Sequence, residues 1–278
     1  MRTGGVIINA DSAQVYRDLP ILSAAPTAIE KAGAEHRLYG ALDGAVPCSA
    51  AAWAAMARRE IDDVLASARL PILVGGTGLY LRTLLDGIAP VPEIDPGVRQ
   101  DVRGASVEHN LVRLNEVDPD AAKRLNPGDA TRIARALEVM LSTGRPLSEW
   151  QKNHEGGIGE QIALKPLILL PPREWLYARC DERFDQMIKL GAIGEVKALL
   201  ARKLNASLPV MRAIGVREIA AHLRGDASLE ELIAAWQQAT RRYAKRQYTW
   251  FAHQPPGNWP RYGEIADERA LELLDVNA

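Results

Sequence analysis

The chain has 278 residues, of which 47% are hydrophobic and 25% charged, and its formal net charge is −1. That composition is expected of a soluble globular protein and excludes a polycation, so any nucleic-acid binding must come from local basic patches. No apolar run reaches the ~20 residues that span a bilayer, and the opening MRTGG lacks the apolar core of a signal peptide. The cysteines, Cys48 and Cys180, are far apart and fit no metal motif. They argue for a reducing, cytoplasmic setting with no membrane partner.

Val6-Ile7-Ile8 reads as a short buried strand, because β-branched runs of this kind suit parallel sheets covered on both faces. It stops at Asn9-Ala10 and hands over to Asp11, with Ser12, Gln14 and Tyr16 close behind. In open α/β sheets, ligands sit beyond the carboxyl ends of strands. Asp11 is therefore either a carboxylate placed for chemistry or a cap for the next turn. Residues 24–47 read as irregular, rich in Ala, Gly and Pro. Ser49 is an N-cap for a helix whose apolar face is Trp53, Met56, Ile61, Val64 and Leu65. Pro71-Ile72-Leu73-Val74 reads as a second strand. It runs into Gly75-Gly76-Thr77-Gly78 and a helical stretch ending near Leu85. Such a strand, Gly-rich turn and helix start lets backbone and hydroxyl groups approach an anion. The plainer reading is a tight turn that needs glycine for its φ angle alone.

Pro90, Pro92 and Pro96 mark a linker out of this first α/β unit. From residue 97 to about 159 only helical patterns and polar loops are read. The best helix starts near Asp129, carries Ile133, Leu137, Met140 and Leu141 on one stripe, and ends at Gly144 and Pro146. Arg132 and Arg135 share a neighbouring face of it. The apolar stretch 162–170 reads as a third strand, interrupted at Lys165-Pro166. A long helix, or two broken at Gly191 or Gly194, follows with Phe184, Met187, Ile188, Val196, Leu199 and Leu200. Arg212 and Arg217 flank a glycine in MRAIGVRE. Ser228 and Glu231 form a capping box for the last long helix. Its stripe is Leu229, Ile233, Trp236, Thr240, Tyr243, Gln247 and Trp250. Arg241, Arg242, Lys245 and Arg246 crowd one stretch of it, as a solvated face or as a helix that gains from a nearby anion. The acidic tail after Gly263 reads as helical. The expected fold is an α/β parallel-sheet core, residues 1–94 and 161–278, interrupted by a helical insertion at 95–160.

Five segments in order, INADSAQVY, PILVGGTGLYLRTLLDG, DATRIARALEV with STGRPLSE, MRAIGVRE and RYAKRQYTWF, resemble the tRNA dimethylallyltransferases. The resemblance runs from about Val6 to Phe251. It implies a P-loop NTPase-like nucleotide-binding fold and transfer of a dimethylallyl group from dimethylallyl diphosphate to N6 of the adenosine beside the anticodon, at tRNA position 37. By that resemblance Asp11 is the base and Thr77 the threonine near the reacting groups. Arg212 and Arg217 hold the diphosphate. Ser12, Ala13, Gln14, Arg99, Thr131, Arg132, Ile133, Ala134, Arg135, Arg242, Lys245 and Arg246 meet the tRNA anticodon stem-loop. Mg2+ is the implied cofactor; its ligands stay open, with Asp11 one candidate and the usual P-loop Ser/Thr not found. A monomer is expected.

The family begins with a strand and G-x-x-x-x-G-K-[ST], and no such motif stands in this sequence. The first strand and P-loop, a unit of roughly 20–30 residues, are therefore expected to be missing, leaving sheet edge and helix faces uncovered. Translation from an internal start codon is the preferred explanation over a natural truncation, because the other motifs are intact. Ile21–Pro26 departs from the family's Gly-Thr-Ala-Lys-Pro segment, and Cys48 stands where an aromatic is usual. Two competing readings are an adenylate isopentenyltransferase and a non-catalytic tRNA-binding remnant. The helical insertion argues for tRNA over a free nucleotide.

Overall fold

The computed structural model describes residues 4–274. It divides into two compact units: one runs to Leu84 and resumes at Ile162, and the other is Leu85–Gln161. The elements of the first unit are β1 (Val6–Asn9), α1 (Ala28–Lys31), β2 (Glu35–Arg37), α2 (Ala50–Ala66), β3 (Pro71–Val74) and α3 (Gly78–Asp86). The second unit holds α4 (Pro96–Gly104), α5 (Val107–Val117), α6 (Pro119–Arg124), α7 (Ala130–Thr143) and α8 (Leu147–Trp150). The first unit then resumes with β4 (Ile168–Leu169), α9 (Arg173–Leu190), α10 (Ala192–Ala201), α11 (Val216–Arg224), α12 (Leu229–His253), β5 (Arg261–Tyr262) and α13 (Glu268–Glu272).

β1 is the middle strand of a parallel sheet in the order β2-β1-β3. Val6 pairs with Glu35 on one side and Pro71 on the other. A strand flanked on both edges and covered on both faces must be apolar throughout, and Val6 and Ile8 are fully buried. The outer edge of β3 carries no strand among the described residues. Its last residue, Val74, and the preceding Leu70 remain 47% and 42% exposed. The stretch expected as a third strand yields only the two residues of β4, which pair in parallel with β5 in a separate sheet. Lys165-Pro166 accounts for the loss, since proline cannot donate to a ladder.

The Ser49 hydroxyl caps α2 by accepting from the Ala52 N–H. Trp53, Ala57, Ile61 and Val64 are its buried face, whereas Leu65, expected on that face, is half exposed. Fully burying one such aliphatic side chain is worth about 1.5–3 kcal/mol. The loop after β1 and the C-terminal helices share one core: Val15, Leu19 and Leu22 pack with Phe184, Val196, Leu199, Ile219 and Trp236. Gly191, at φ +100°, separates α9 from α10. The Ser228–Glu231 capping box starts α12.

In the second unit, Asp95, Ser106, Asp118 and Asp129 each accept a backbone N–H at the start of α4, α5, α6 and α7. Its core joins Val102, Leu114, Ile133 and Leu137. The boundary lies at Leu85 rather than 95. Ile88 bridges Glu155, and a Cβ on Gly157 would meet the Leu85 and Asp86 backbone, so residues 85–94 are tied to the end of this unit.

Candidate active site

Asn9 ends β1 as a fully buried amide. Its Nδ2 donates to the Asp11 and Leu38 carbonyls, and its Oδ1 accepts from the Asp11 N–H at 2.9 Å. The Trp53 indole N–H donates to the Asn9 carbonyl at 3.0 Å. These bonds fold the chain sharply at the strand end and present Asp11. Both readings of Asp11 meet in one side chain. Oδ1 accepts from the Ala13 and Gln14 N–H groups at 2.8 and 3.2 Å and so caps the turn. Among the described residues, no hydrogen bond occupies Oδ2.

Thr77 joins the two strand ends. Its N–H donates to the Ala10 carbonyl, and its Oγ1 accepts from the Ser12 N–H at 3.0 Å and lies 3.3 Å from the Ser12 hydroxyl. The Tyr243 phenol on α12 lies near enough for the Thr77 hydroxyl to act on its pKa, in the lowering sense. The turn that carries Thr77 does not need its glycines for a left-handed φ: Gly75, Gly76 and Gly78 all lie outside that region. Close approach requires them instead. A Cβ on Gly75 would overlap the Ala10 backbone, one on Gly76 the Gln247 amide, and one on Gly78 the Trp250 ring. The Gln247 Nε2 donates to the Gly76 carbonyl at 2.7 Å. Gly75→Ala is therefore expected to cost about 1–3 kcal/mol or more, because backbone must move. Gly76→Ala should cost less, nearer the ~1 kcal/mol of one hydrogen bond, because the tip of Gln247 swings away. Chemical denaturation of the two variants checks the order, and a larger loss in Gly76→Ala contradicts it.

Three tyrosines and one arginine feel the Asp11 charge. Burial pushes the Tyr39, Tyr80 and Tyr243 phenols up, and Asp11 adds to the shift in each. All three therefore stay neutral. Tyr80 stacks on Trp53 with ring centroids 4.6 Å apart. Arg183 of α9 is open to solvent yet crowded by protein. Desolvation lowers its pKa, while the Cys180 thiol and the Asp11 carboxylate act in the opposite sense. Its Nη2 donates to the Ala24 carbonyl at 3.3 Å.

The structure thus brings Asp11, Ser12 and Thr77 together and adds Asn9, Arg183, Tyr243 and Gln247. Gln14 sits in the same turn, with Nε2 donating to the Ser23 and Ala24 carbonyls. Ala13 is held there by its N–H to Asp11. Arg212, in a 3-10 turn, and Arg217, on α11, are exposed, and neither makes an ion pair or a hydrogen bond with Asp11 or Thr77. Of the basic run on α12, Arg241 is committed to Asp181 with two hydrogen bonds. Arg242, Lys245 and Arg246 are exposed, and Arg246 lies over the Tyr243 ring.

In the second unit Arg99, Thr131 and Arg132 are exposed, and Arg132 pairs loosely with Asp129 at 3.4 Å. Arg135 is half-buried. Ile133, which the resemblance sets among the residues meeting the tRNA, is instead fully buried with Val102 and Leu114, in keeping with its place on the apolar stripe. Ala134 is partly buried beside it. Sequence reading also missed Glu138, a fully buried carboxylate bonded to the Arg103 Nε at 2.6 Å. Burial lowers the pKa of Arg135, which Glu138 supports and Arg99 and Arg103 oppose.

A carboxylate and two hydroxyls thus stand together at adjacent parallel strand ends, over a Gly-rich turn, in a protein of the parallel α/β class. The IPP transferase family model matches residues 14–254, and the chain belongs to that family. The tRNA dimethylallyltransferase of Novosphingobium aromaticivorans is 64% identical over 271 residues, which cover 97% of this chain and 96% of that protein. Its counterpart in Erythrobacter litoralis is 60% identical over 97% of this chain and 85% of that protein. Among solved structures, the full-length tRNA isopentenylpyrophosphate transferase of Bacillus halodurans superposes with a TM-score of 0.69 at 32% identity, covering 99% of this chain and 87% of that one. A eukaryotic dimethylallyltransferase acting on tRNA gives a TM-score of 0.72 at 27% identity, over 90% of this chain and 64% of that one.

Proposed function

We propose that the chain transfers a dimethylallyl group from dimethylallyl diphosphate to N6 of the adenosine at tRNA position 37. The single observation that carries this reading is the Asp11 Oδ2, without a hydrogen-bond partner among the described residues and held at a strand end beside the Ser12 and Thr77 hydroxyls. The exocyclic amine is a poor nucleophile because its lone pair is delocalised into the ring. As N6 forms its bond to the allylic carbon, the carbon–oxygen bond breaks and its electron pair leaves with diphosphate. The N6 proton passes to Asp11 Oδ2. Arg183 and the backbone N–H groups of the Gly-rich turn balance the departing charge. The neutral tyrosines wall the site for an extruded purine and a hydrocarbon chain, since an adenine in a folded loop must leave its stack to react.

Among the described residues no three His, Cys, Asp or Glu side chains converge on a metal-sized site. The Ser12 and Thr77 hydroxyls fit a Mg2+ that arrives on the diphosphate with phosphate oxygens and waters as its other ligands, which leaves Asp11 Oδ2 to take the proton. Bound there, the ion would neutralise charge on the leaving group.

Phosphates of the anticodon stem-loop would fall to the exposed cations Arg99, Arg132, Arg242, Lys245 and Arg246, and to Arg135. Arg132→Ala and Arg135→Ala should weaken tRNA binding and each reduce the slope of log affinity against log salt by about one. An unchanged slope removes them from the interface. The central test offers labelled dimethylallyl diphosphate with an anticodon stem-loop or with AMP. Label in the stem-loop is expected. Label in AMP moves the substrate to the free nucleotide. Stem-loop binding without label makes the chain a tRNA-binding protein instead.

A further inference from the structure

We infer that Glu195 is a positioning residue for the donor-diphosphate side of the site, acting through the turn at residues 19–25; this rests on the reading that Arg183 holds the diphosphate. Glu195 lies in the first turn of α10, among Ala192, Val196 and Leu199, which are buried in the core. Its half-buried carboxylate reaches across to the loop that follows β1. Oε1 accepts from the Ile21 N–H and Oε2 from the Leu22 N–H, each at 2.8 Å. Those two N–H groups open a helix-like turn whose later N–H groups are internally satisfied: Ser23 to Leu19, Ala24 to Ile21 and Ala25 to Pro20, all at 2.9 Å. A carboxylate at such an end satisfies donors that have no partner within the turn.

The turn ends in a constrained residue. Ala24 has φ +48°, in the left-handed region that a residue with a Cβ adopts only when its surroundings hold it there. Its carbonyl is where the functional side chains attach. It accepts from Gln14 Nε2 at 3.0 Å and from Arg183 Nη2 at 3.3 Å. Leu22 anchors the other side of the turn in the core, against Gly215, where a Cβ would meet its Cδ1. Glu195 therefore fixes the turn, the turn fixes the direction of the Ala24 carbonyl, and that carbonyl holds the Arg183 guanidinium beside Gln14, whose own N–H donates to Asp11 Oδ1. Glu195 itself has no contact with Asp11 or Thr77.

The test is a double-mutant cycle on the full chain with dimethylallyl diphosphate as the probe. Glu195→Gln keeps the side-chain volume and one acceptor but turns an NH2 toward a backbone N–H. It should raise KM for the donor about tenfold, with kcat and KM for the stem-loop changed far less. Arg183→Ala should raise donor KM further, and the double variant should match Arg183→Ala alone, because both act through one guanidinium. A fall in Tm with donor KM unchanged, or a double variant whose loss is the product of the single losses, overturns the inference. Glu195→Asp, too short to bridge both N–H groups, should resemble Glu195→Gln, and wild-type donor KM in it is a further contrary result. A wild-type chain that neither binds nor uses dimethylallyl diphosphate overturns both the donor reading and this inference. Normal donor use with Glu195→Gln indistinguishable from wild type overturns this inference alone.

Discussion

Asp11→Asn should lower kcat by about 10²–10⁴-fold while leaving affinity for the anticodon stem-loop within a factor of a few. The range is that of a lost general base. The choice of asparagine follows from the two roles of the side chain. Oδ1 accepts the Ala13 and Gln14 N–H groups and shapes the turn, while Oδ2 is free. An asparagine whose carbonyl oxygen takes the Oδ1 place keeps the cap and loses only the proton acceptor. Asp11→Ala removes both, so it should be less stable by the ~1 kcal/mol of a lost cap as well as inactive. The difference between the two variants separates structure from chemistry. Single-turnover rates with labelled donor and direct binding of the stem-loop supply the two quantities. Parallel losses in binding and turnover would show that Asp11 merely holds the turn.

Much of that geometry is visible in the sequence. The β-branched run stopping at Asn9-Ala10 announces a strand end, and Ser49, Asp129, Gly144 and the Ser228–Glu231 pair mark helix ends through local chemistry that needs no tertiary context. Other parts are set by partners distant in sequence. β2 is three polar-to-charged residues, Glu35-His36-Arg37, inside an irregular run. Only the free edge of β1 makes it a strand. Arg183 sits in the charged stretch REWLYARCDERFDQ, where nothing separates it from Arg179, which pairs with Glu182 at the surface. Glu195 reads as a routine first-turn acid. The glycines of GGTG were legible as special, but not the reason: the overlaps at Ala10, Gln247 and Trp250 join residues up to 172 apart in the chain, and φ plays no part.

Arg183→Ala should lower kcat/KM for dimethylallyl diphosphate by about 10²–10³-fold, the scale seen when one preorganised donor to a developing anion is removed. The argument is electrostatic. Arg183 is crowded enough for desolvation to lower its pKa, its one hydrogen bond among the described residues is to a neutral carbonyl, and Asp11 is among the charges that oppose the shift. A guanidinium held without a carboxylate hydrogen-bonded to it is poised to gain from an arriving diphosphate, and its planar fork matches two phosphate oxygens at once. Arg183→Lys keeps the charge but not the fork, so it should recover only part of the loss. Arg212 and Arg217 provide the contrast. Both are exposed and, among the described residues, free of ion pairs, and their removal should act on tRNA affinity and its salt dependence more than on the donor. Donor KM measured at saturating stem-loop decides between them. A large rise in Arg212→Ala beside a near-normal Arg183→Ala would move the diphosphate to the MRAIGVRE segment. It would also leave the field around Asp11 without a counterpart in the substrate.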